Sequence, residues 1–264
     1  MSWTLNHGSC LDPITGLASL ADKSVDHIIT DPPYDEHTHS KSVRHTTIHK
    51  GYGGERQSQC AISRNRDLGF EPLSAEDMAE SGRQFGRIAR RWVLVFCSVE
   101  MVSDWKRCLV AGGLKYIRTC AWHKLGSTPQ FTGDRPAQAF ETIVVAHAPG
   151  RTKWNAHGKH GYYAHPIVLE RGNGEVRLHT TQKPLSLMRE LVDDFTSPDD
   201  LICDPFAGSA TTAMACLQMG RGRRFIGWEM DESNHAIATR RLNGDEAKPR
   251  KEQPGLFDSI ARTP

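Results

Sequence analysis

Leu201-Ile202-Cys203-Asp204-Pro205-Phe206-Ala207-Gly208-Ser209-Ala210-Thr211-Thr212 reads as a short apolar strand, an acidic turn with one glycine, and the start of a helix. The helix opens at or near Ser209, with Ala213, Met214, Ala215, Leu217 and Met219 along its apolar side. Gly208 can take positive φ and lets a ligand approach the backbone. The helix N-terminus offers free N–H groups and positive potential to a carboxylate. Arg224-Phe225-Ile226-Gly227-Trp228-Glu229-Met230 follows as another strand ending in an acid. An acid about 20 residues beyond a glycine turn, at the end of the next strand, is placed to meet ribose hydroxyls. The three-glycine dinucleotide fingerprint is absent, and an ordinary βαβ turn is the alternative reading.

Working outward, strands alternate with helices along the chain. Trp3 to Cys10 is a strand, followed by a helix or turn to about Ala21, and Val25 to Thr30 is the next strand. Ser74 with Asp77 forms a capping-box pattern that opens a helix to about Arg91. Trp92 to Cys97 is a buried strand, Glu100 to Ala111 a helix ended by Gly112-Gly113, and Tyr116 to His123 and Glu141 to His147 are strands. Leu185 to Phe195 is a helix with Pro184 at its start, and a last helix runs to about Leu242. This alternation predicts an α/β fold with a doubly wound, mostly parallel sheet. Residues 1–243 make one domain, with a mobile basic loop at 35–68 and a basic, aromatic insert at 148–180. Residues 244–264 are a polar tail expected to be disordered.

Ligands of such sheets sit beyond the carboxyl ends of the strands. The strand at Val25 to Thr30 ends in Asp31-Pro32-Pro33-Tyr34. Both prolines have fixed φ and no N–H, and each biases the residue before it away from the helical region. The result is either a plain turn or a stiff ledge carrying a carboxylate, carbonyl acceptors and an aromatic plane. The ledge suits a flat molecule with an exocyclic amine, such as a nucleobase. Asp31, Asp204 and Glu229 all fall at strand ends, so sites far apart in sequence can be one site in space.

The chain resembles the beta-type S-adenosylmethionine-dependent amino-methyltransferases of DNA. The resemblance covers roughly residues 3 to 243. It rests on four motifs in family order: Asp31 to Tyr34, Thr181-Gln182-Lys183-Pro184, Asp204 to Thr212, and Phe225 to Glu229. It implies a Rossmann-like methyltransferase fold with seven strands, one of them antiparallel, permuted so that the catalytic half comes first. It implies methyl transfer from S-adenosylmethionine to an exocyclic amine of a base flipped out of double-stranded DNA, in the manner of restriction-modification enzymes. Asp31 and the Pro32 carbonyl would hold the amine, Pro33 would stiffen the ledge, and Tyr34 would stack on the base. Glu229 would take the ribose hydroxyls. Lys183 would pair with the methionine carboxylate, helped by Ser209, Thr211 and backbone N–H groups, unless it is a solvated lysine at a helix start. Asp204, Phe206, Gly208, Cys10, Leu11 and Met230 complete the expected cofactor contacts, to which Asp31 also belongs. Ser9 stands where many members have Asp, and Ala210 where many have a second glycine. That alanine costs little if its position is already helical.

Asp at position 31 leans toward adenine N6, since the cytosine-N4 branch more often has Ser there. The alternatives are cytosine-N4 transfer and a catalytically silent nucleic-acid-binding partner of the same fold. Transfer to RNA or to a protein glutamine would favour Asn at that position. Lys41, Arg44, Arg64, Arg66, Arg151, Lys153, Lys159, Arg171 and Arg177 are the candidate phosphate contacts, each a solvated charge if it is not one. A homodimer is a further partner the family suggests. His157, His160 and His165 lack an accompanying cysteine or acid pattern, so no metal is expected. Gln253-Pro254-Gly255-Leu256-Phe257 resembles peptides that dock into the bacterial sliding clamp through Gln253, Leu256 and Phe257; covering the chain's own surface is the other reading.

Composition is compatible with all of this. The chain has 264 residues, enough for a full core in one domain, and its net charge of +2 is too small to demand a polyanion. Seven scattered cysteines without a C-x-x-C pair, and no signal peptide, read as reduced thiols. No apolar run approaches the ~20 residues of a membrane span. A cytoplasmic, nucleoid-associated protein of a bacterium or phage is the resulting expectation.

Overall fold

The computed structural model describes residues 2–33, 73–127, 129, 133–168 and 182–245. Its strands are β1 (Trp3–His7), β2 (His27–Thr30), β3 (Trp92–Cys97), β4 (Lys115–Leu125), β5 (Phe140–His147), β6 (Tyr162–Pro166), β7 (Leu201–Asp204) and β8 (Arg224–Glu229). They form one sheet in the order β1-β8-β7-β2-β3-β5-β4-β6. Only β5 runs against its neighbours, β3 and β4; all other described pairs are parallel. The described helices are α1 (Ala75–Ile88), α2 (Val102–Ala111), α3 (Leu185–Phe195), α4 (Thr211–Met219) and α5 (Glu232–Leu242).

Period-two alternation divides the core. Ile28, Val93, Val95, Val144 and Ala146 point to one face, where Phe85 and Ile88 of α1 and Trp105 and Leu109 of α2 cover them. Ile29, Leu94, Phe96, Ile143 and Val145 point to the other, under Leu187, Leu191 and Val192 of α3 and Ala215 of α4. Strands buried on both faces read as continuous apolar runs, which is why β3 and β5 are plain in the sequence. On β8, Phe225 packs with Ala210 and Ala213 at α4 and Ala238 and Leu242 of α5.

The sheet has eight strands, not seven. The extra strand, β6, lies in the segment read as an insert, and pairs in parallel with β4 at the sheet edge. Tyr163 is buried while its neighbours Tyr162 and Ala164 are exposed, so one apolar side chain carries the strand's anchoring. That single residue is too weak a period-two signal to stand out. Three helix boundaries also move. α1 stops at Ile88 because Ala89 is extended and bridges to Val25. α2 starts at Val102, not Glu100, and α4 at Thr211, not Ser209. β1 ends at His7, before Gly8 turns with φ +134°.

β7 and β2 lie side by side, but the next strand after β7 is on one side of the pair and the next after β2 on the other. The chain thus departs in opposite directions, leaving a crevice beyond their carboxyl ends. Asp204 ends β7, and Asp31 follows β2 directly.

Helices α1 and α2 meet through glycines. A methyl group at Gly86 would lie 1.7 Å from the Gly112 carbonyl oxygen, and one at Gly82 would lie 2.5 Å from that of Cys108. Gly86→Ala is therefore expected to destabilise the protein by roughly 1–3 kcal/mol, the usual cost of overpacking. Urea unfolding measures this; an unchanged midpoint would show that the helices separate freely.

Candidate active site

Asp31 leaves β2 on the same face as Ile29, and Lys183 approaches from the extended segment before α3, which covers that face. Lys183 Nζ lies 2.5 Å from Asp31 Oδ2 and 3.2 Å from Glu141 Oε2. Lys124 Nζ holds Glu141 Oε1 at 2.5 Å. Glu141 reaches this edge because β5 is antiparallel: its first residues meet the last residues of β3, with Thr142 opposite Cys97. The Thr142 hydroxyl fixes that junction by donating to the Cys97 carbonyl at 2.7 Å. Lys183 is 8% exposed and sits 5.1 Å over the Phe96 ring. Asp31 Oδ1 is buried and has no hydrogen-bond partner among the described residues.

The electrostatics follow from that packing. Burial raises the Asp31 carboxyl above its ordinary value, and the Lys183 ammonium opposes the rise. Burial alone would lower Lys183, but Asp31 and Glu141 outweigh it and hold the ammonium above its usual range.

Asp204 has its oxygens filled by the protein. Thr30 Oγ1 donates to Oδ1 at 2.7 Å, Thr212 Oγ1 to Oδ2 at 2.6 Å, and the Phe206 N–H to Oδ1 at 3.2 Å. It therefore locks the turn to β2 and α4. Burial pushes its carboxyl up to about 6 despite these bonds. Gly208 has φ +53°, and a Cβ there would meet nothing within 4 Å. Ala210 is not helical: it caps α4 with φ 58° and ψ 38°, a left-handed conformation that costs an alanine roughly 1–2 kcal/mol. The expectation of a cheap alanine is thus corrected. Its methyl is fully buried against Ala207 and Ala213. Arg241 donates to the Ser209 carbonyl at 2.9 Å and to Thr211 Oγ1 at 3.1 Å, bracing this turn from α5.

Glu229 stands at the end of β8, with Oε1 accepting from the Asp231 N–H at 2.8 Å; burial raises its carboxyl. Its carbonyl accepts from Gly8, which brings the loop after β1 alongside. Cys10 in that loop is buried, and burial pushes its thiol up to about 12, so it is an apolar wall and no nucleophile. Leu11 is half-buried and Ser9 exposed, its Oγ accepting from the Leu11 N–H. Phe206 is half-buried against the core, and Met230 is 64% exposed. Pro32 is buried and Pro33 half-buried.

The basic candidates separate. Lys159 is engaged internally, at 2.5 Å from Asp194 Oδ2 and 2.6 Å from Glu190 Oε1, where it ties the segment before β6 to α3. Tyr163 Oη adds a bond to Asp194 at 3.0 Å, and His165 pairs with Glu190. Lys153 donates to Ser197 at 3.0 Å, and its carbonyl takes the Trp92 indole N–H at the start of β3, on the edge opposite the crevice. Arg151 is exposed. Tyr34, Lys41, Arg44, Arg64, Arg66, Arg171, Arg177, Gln253, Leu256 and Phe257 lie outside the described residues. No described helix is long and apolar enough to cross a membrane.

The family described as DNA methylase, the N6/N4 methyltransferases, matches residues 25–240. The chain belongs to this family. Type II methyltransferase M.HinfI of Haemophilus influenzae is 24% identical over 264 aligned residues, spanning 93% of this chain and 69% of that protein. Putative methylase YubD of Escherichia coli strain K12 is 44% identical over 77 residues, spanning 29% of this chain but only 33% of that relative's length. The fold is that of the M1.HpyAVI–SAM complex, with a TM-score of 0.65 at 23% identity over 91% of this chain and 99% of that one. It is equally that of the cytosine-N4-specific PvuII DNA methyltransferase, with a TM-score of 0.64 at 15% identity over 92% of this chain and 86% of that one.

Glu141 and Lys124 are not evident as site residues from the sequence alone. Glu141 immediately precedes the apolar run of β5, and its role depends on strand direction, which the run does not reveal. Two tests follow from the site. The folded protein holds the Asp204 proton more tightly than the unfolded chain, so the stability contributed by this group falls as pH rises from about 4 to about 6, by roughly 3 kcal/mol at most. Asp204→Asn keeps an acceptor for Thr30 and removes the titration. Its stability relative to wild type is expected to increase across that window in urea unfolding; a decrease would refute the assignment. Lys159→Met is expected to cost about 1–3 kcal/mol by stranding Asp194, while leaving the salt dependence of DNA binding unchanged.

Proposed function

We propose that this chain methylates the N6 amine of adenine in double-stranded DNA, using S-adenosylmethionine. The observation that carries the reading is Asp31 Oδ1: a buried carboxylate oxygen with no partner among the described residues, beside a lysine-held Oδ2. Leaving such a group unsatisfied costs on the order of 1–3 kcal/mol, and a ligand N–H removes the cost. An exocyclic amine is a poor nucleophile because its lone pair is delocalised into the ring. Acceptance of its hydrogens by Asp31 Oδ1 and the Pro32 carbonyl localises that pair. The base must leave the duplex to reach this crevice. Tyr34 takes the stacking role by its place in the motif, at typically ~1–3 kcal/mol. The fold is shared with a cytosine-N4 enzyme and does not choose the base; Asp31 supports adenine.

The described residues fit the cofactor. The space beside Gly208 is open to the backbone, and the half-buried Glu229 carboxylate ends the next strand. Glu229 would take the ribose hydroxyls. Ser209, Thr211 and the first N–H groups of α4 would face the methionine end, and Phe206, Cys10, Leu11 and Met230 would surround the adenine ring. Asp204 holds the turn in shape. When bound, S-adenosylmethionine supplies an electrophilic methyl group on sulfonium. Asp31 stays available as the acceptor for the proton that the methylated amine must lose. The basic residues outside the described segments would contact phosphates; Arg151, like Lys153, follows the end of β5 on the edge opposite the crevice and does not take that role.

Incubation of duplex DNA with the protein and S-adenosylmethionine, followed by mass spectrometry of the nucleosides, is expected to give N6-methyldeoxyadenosine. N4-methyldeoxycytidine would overturn the choice of base. Asp31→Ala is expected to lower turnover at least a thousandfold while cofactor binding persists; near-normal turnover would sink the assignment.

A further inference from the structure

We propose that Lys183 serves the catalytic acid and not the carboxylate of the cofactor, and that Glu141 is the positioning residue that keeps it there. This rests on the reading of Asp31 as the amine acceptor. The ammonium of Lys183 lies between Asp31 Oδ2 at 2.5 Å and Glu141 Oε2 at 3.2 Å. Glu141 is itself anchored by Lys124 at 2.5 Å through its other oxygen. Among the described residues, two carboxylates and two ammonium groups form a neutral chain across four segments: the end of β2, β4, β5 and the stretch before α3. A third carboxylate on Lys183 would unbalance it in a setting where the lysine is 8% exposed and lies 5.1 Å from the Phe96 ring and 6.0 Å from that of Trp122. Swinging the ammonium away would strand two acids in the same low-dielectric place, a costly change.

The arrangement divides the labour of one carboxylate. Oδ2 is committed to Lys183, which leaves Oδ1 as the acceptor for substrate. Asp31 must be ionised for this, and the groups that face it set its charge. Lys183 and Lys124 favour the ionised form, while Glu141 from β5 and Asp204 from β7 oppose it. The Cys97 thiol from β3 is also close, and burial keeps it protonated. Removing Lys183 or Glu141 must therefore move the Asp31 titration in opposite directions. A lysine that serves only as a cofactor ligand, or only as packing, gives no such pair of shifts.

The test uses the full chain without DNA. In carbon-13 carboxyl NMR, Lys183→Met is expected to move the Asp31 titration up by at least one pH unit. Glu141→Gln, whose amide oxygen still accepts from Lys183, is expected to move it down. By calorimetry, the Kd for S-adenosylmethionine in Lys183→Met is expected to stay within threefold of wild type, while kcat for DNA methylation at pH 7 falls at least tenfold. A Kd weakened more than tenfold overturns the proposal whatever the titration does, and so does an Asp31 titration that neither variant moves. Should Lys183→Met fail to fold, the Glu141→Gln titration decides alone: a downward shift supports the proposal and no shift overturns it. Titration and cofactor binding are read without turnover. A wild-type protein that binds the cofactor but methylates no DNA would therefore overturn the functional reading and leave these two results standing.

Discussion

The Thr30 hydroxyl donates to Asp204 across the ends of two strands that lie 174 positions apart in sequence and side by side in the sheet. The rest of the site depends on that junction. Asp31 begins one residue beyond Thr30, and the turn bearing Phe206 and Gly208 begins just beyond Asp204. Because Thr212 and the Phe206 N–H satisfy the remaining valences of the same carboxylate, strand, turn and helix are held as one unit. The end of β2 and the turn after β7 are thus held side by side.

Much of this was legible in the sequence, and for a physical reason. Strands buried on both faces appear as unbroken apolar runs, and the acids that end them at Asp31, Asp204 and Glu229 stand out as charges at the edge of an apolar core. The helix at Leu185–Phe195 was equally clear, with a proline before it and an apolar stripe along it. What escaped were features set by pairing. β6 carries a single buried aromatic and a polar exterior, so only its register with β4 defines it. Lys159 looks like a surface cation until α3 brings Asp194 and Glu190 to it. Glu141 joins the site only because β5 is reversed, and no local pattern encodes the direction of a buried strand.

Ala210 shows a similar limit from the backbone side. The turn after β7 needs a left-handed residue at the mouth of α4, and a glycine would supply it without cost. Here an alanine takes that conformation, and its buried methyl in the small-residue cluster with Ala207 and Ala213 offsets part of the strain. The Arg241 bonds to Ser209 and Thr211 add bracing from a different helix. The turn is thus kept rigid by packing and by a cation, where a second glycine would leave it looser.

The strand order also bears on synthesis. β2 occupies the middle of the sheet, with β3 on one side and β7 on the other. β3 follows it closely, but β7 emerges from the ribosome only after every strand on the other side of β2 has been made. Until then one edge of β2 lies open, with Ile28 and Ile29 lacking a flanking strand, and β1 waits still longer for β8. Such long-range parallel pairing makes folding slow and leaves nascent chains prone to stick to one another. Chaperone dependence during expression, greatest for chains truncated before Leu201, is the cellular consequence expected when the central strand precedes one of its two neighbours by so much chain.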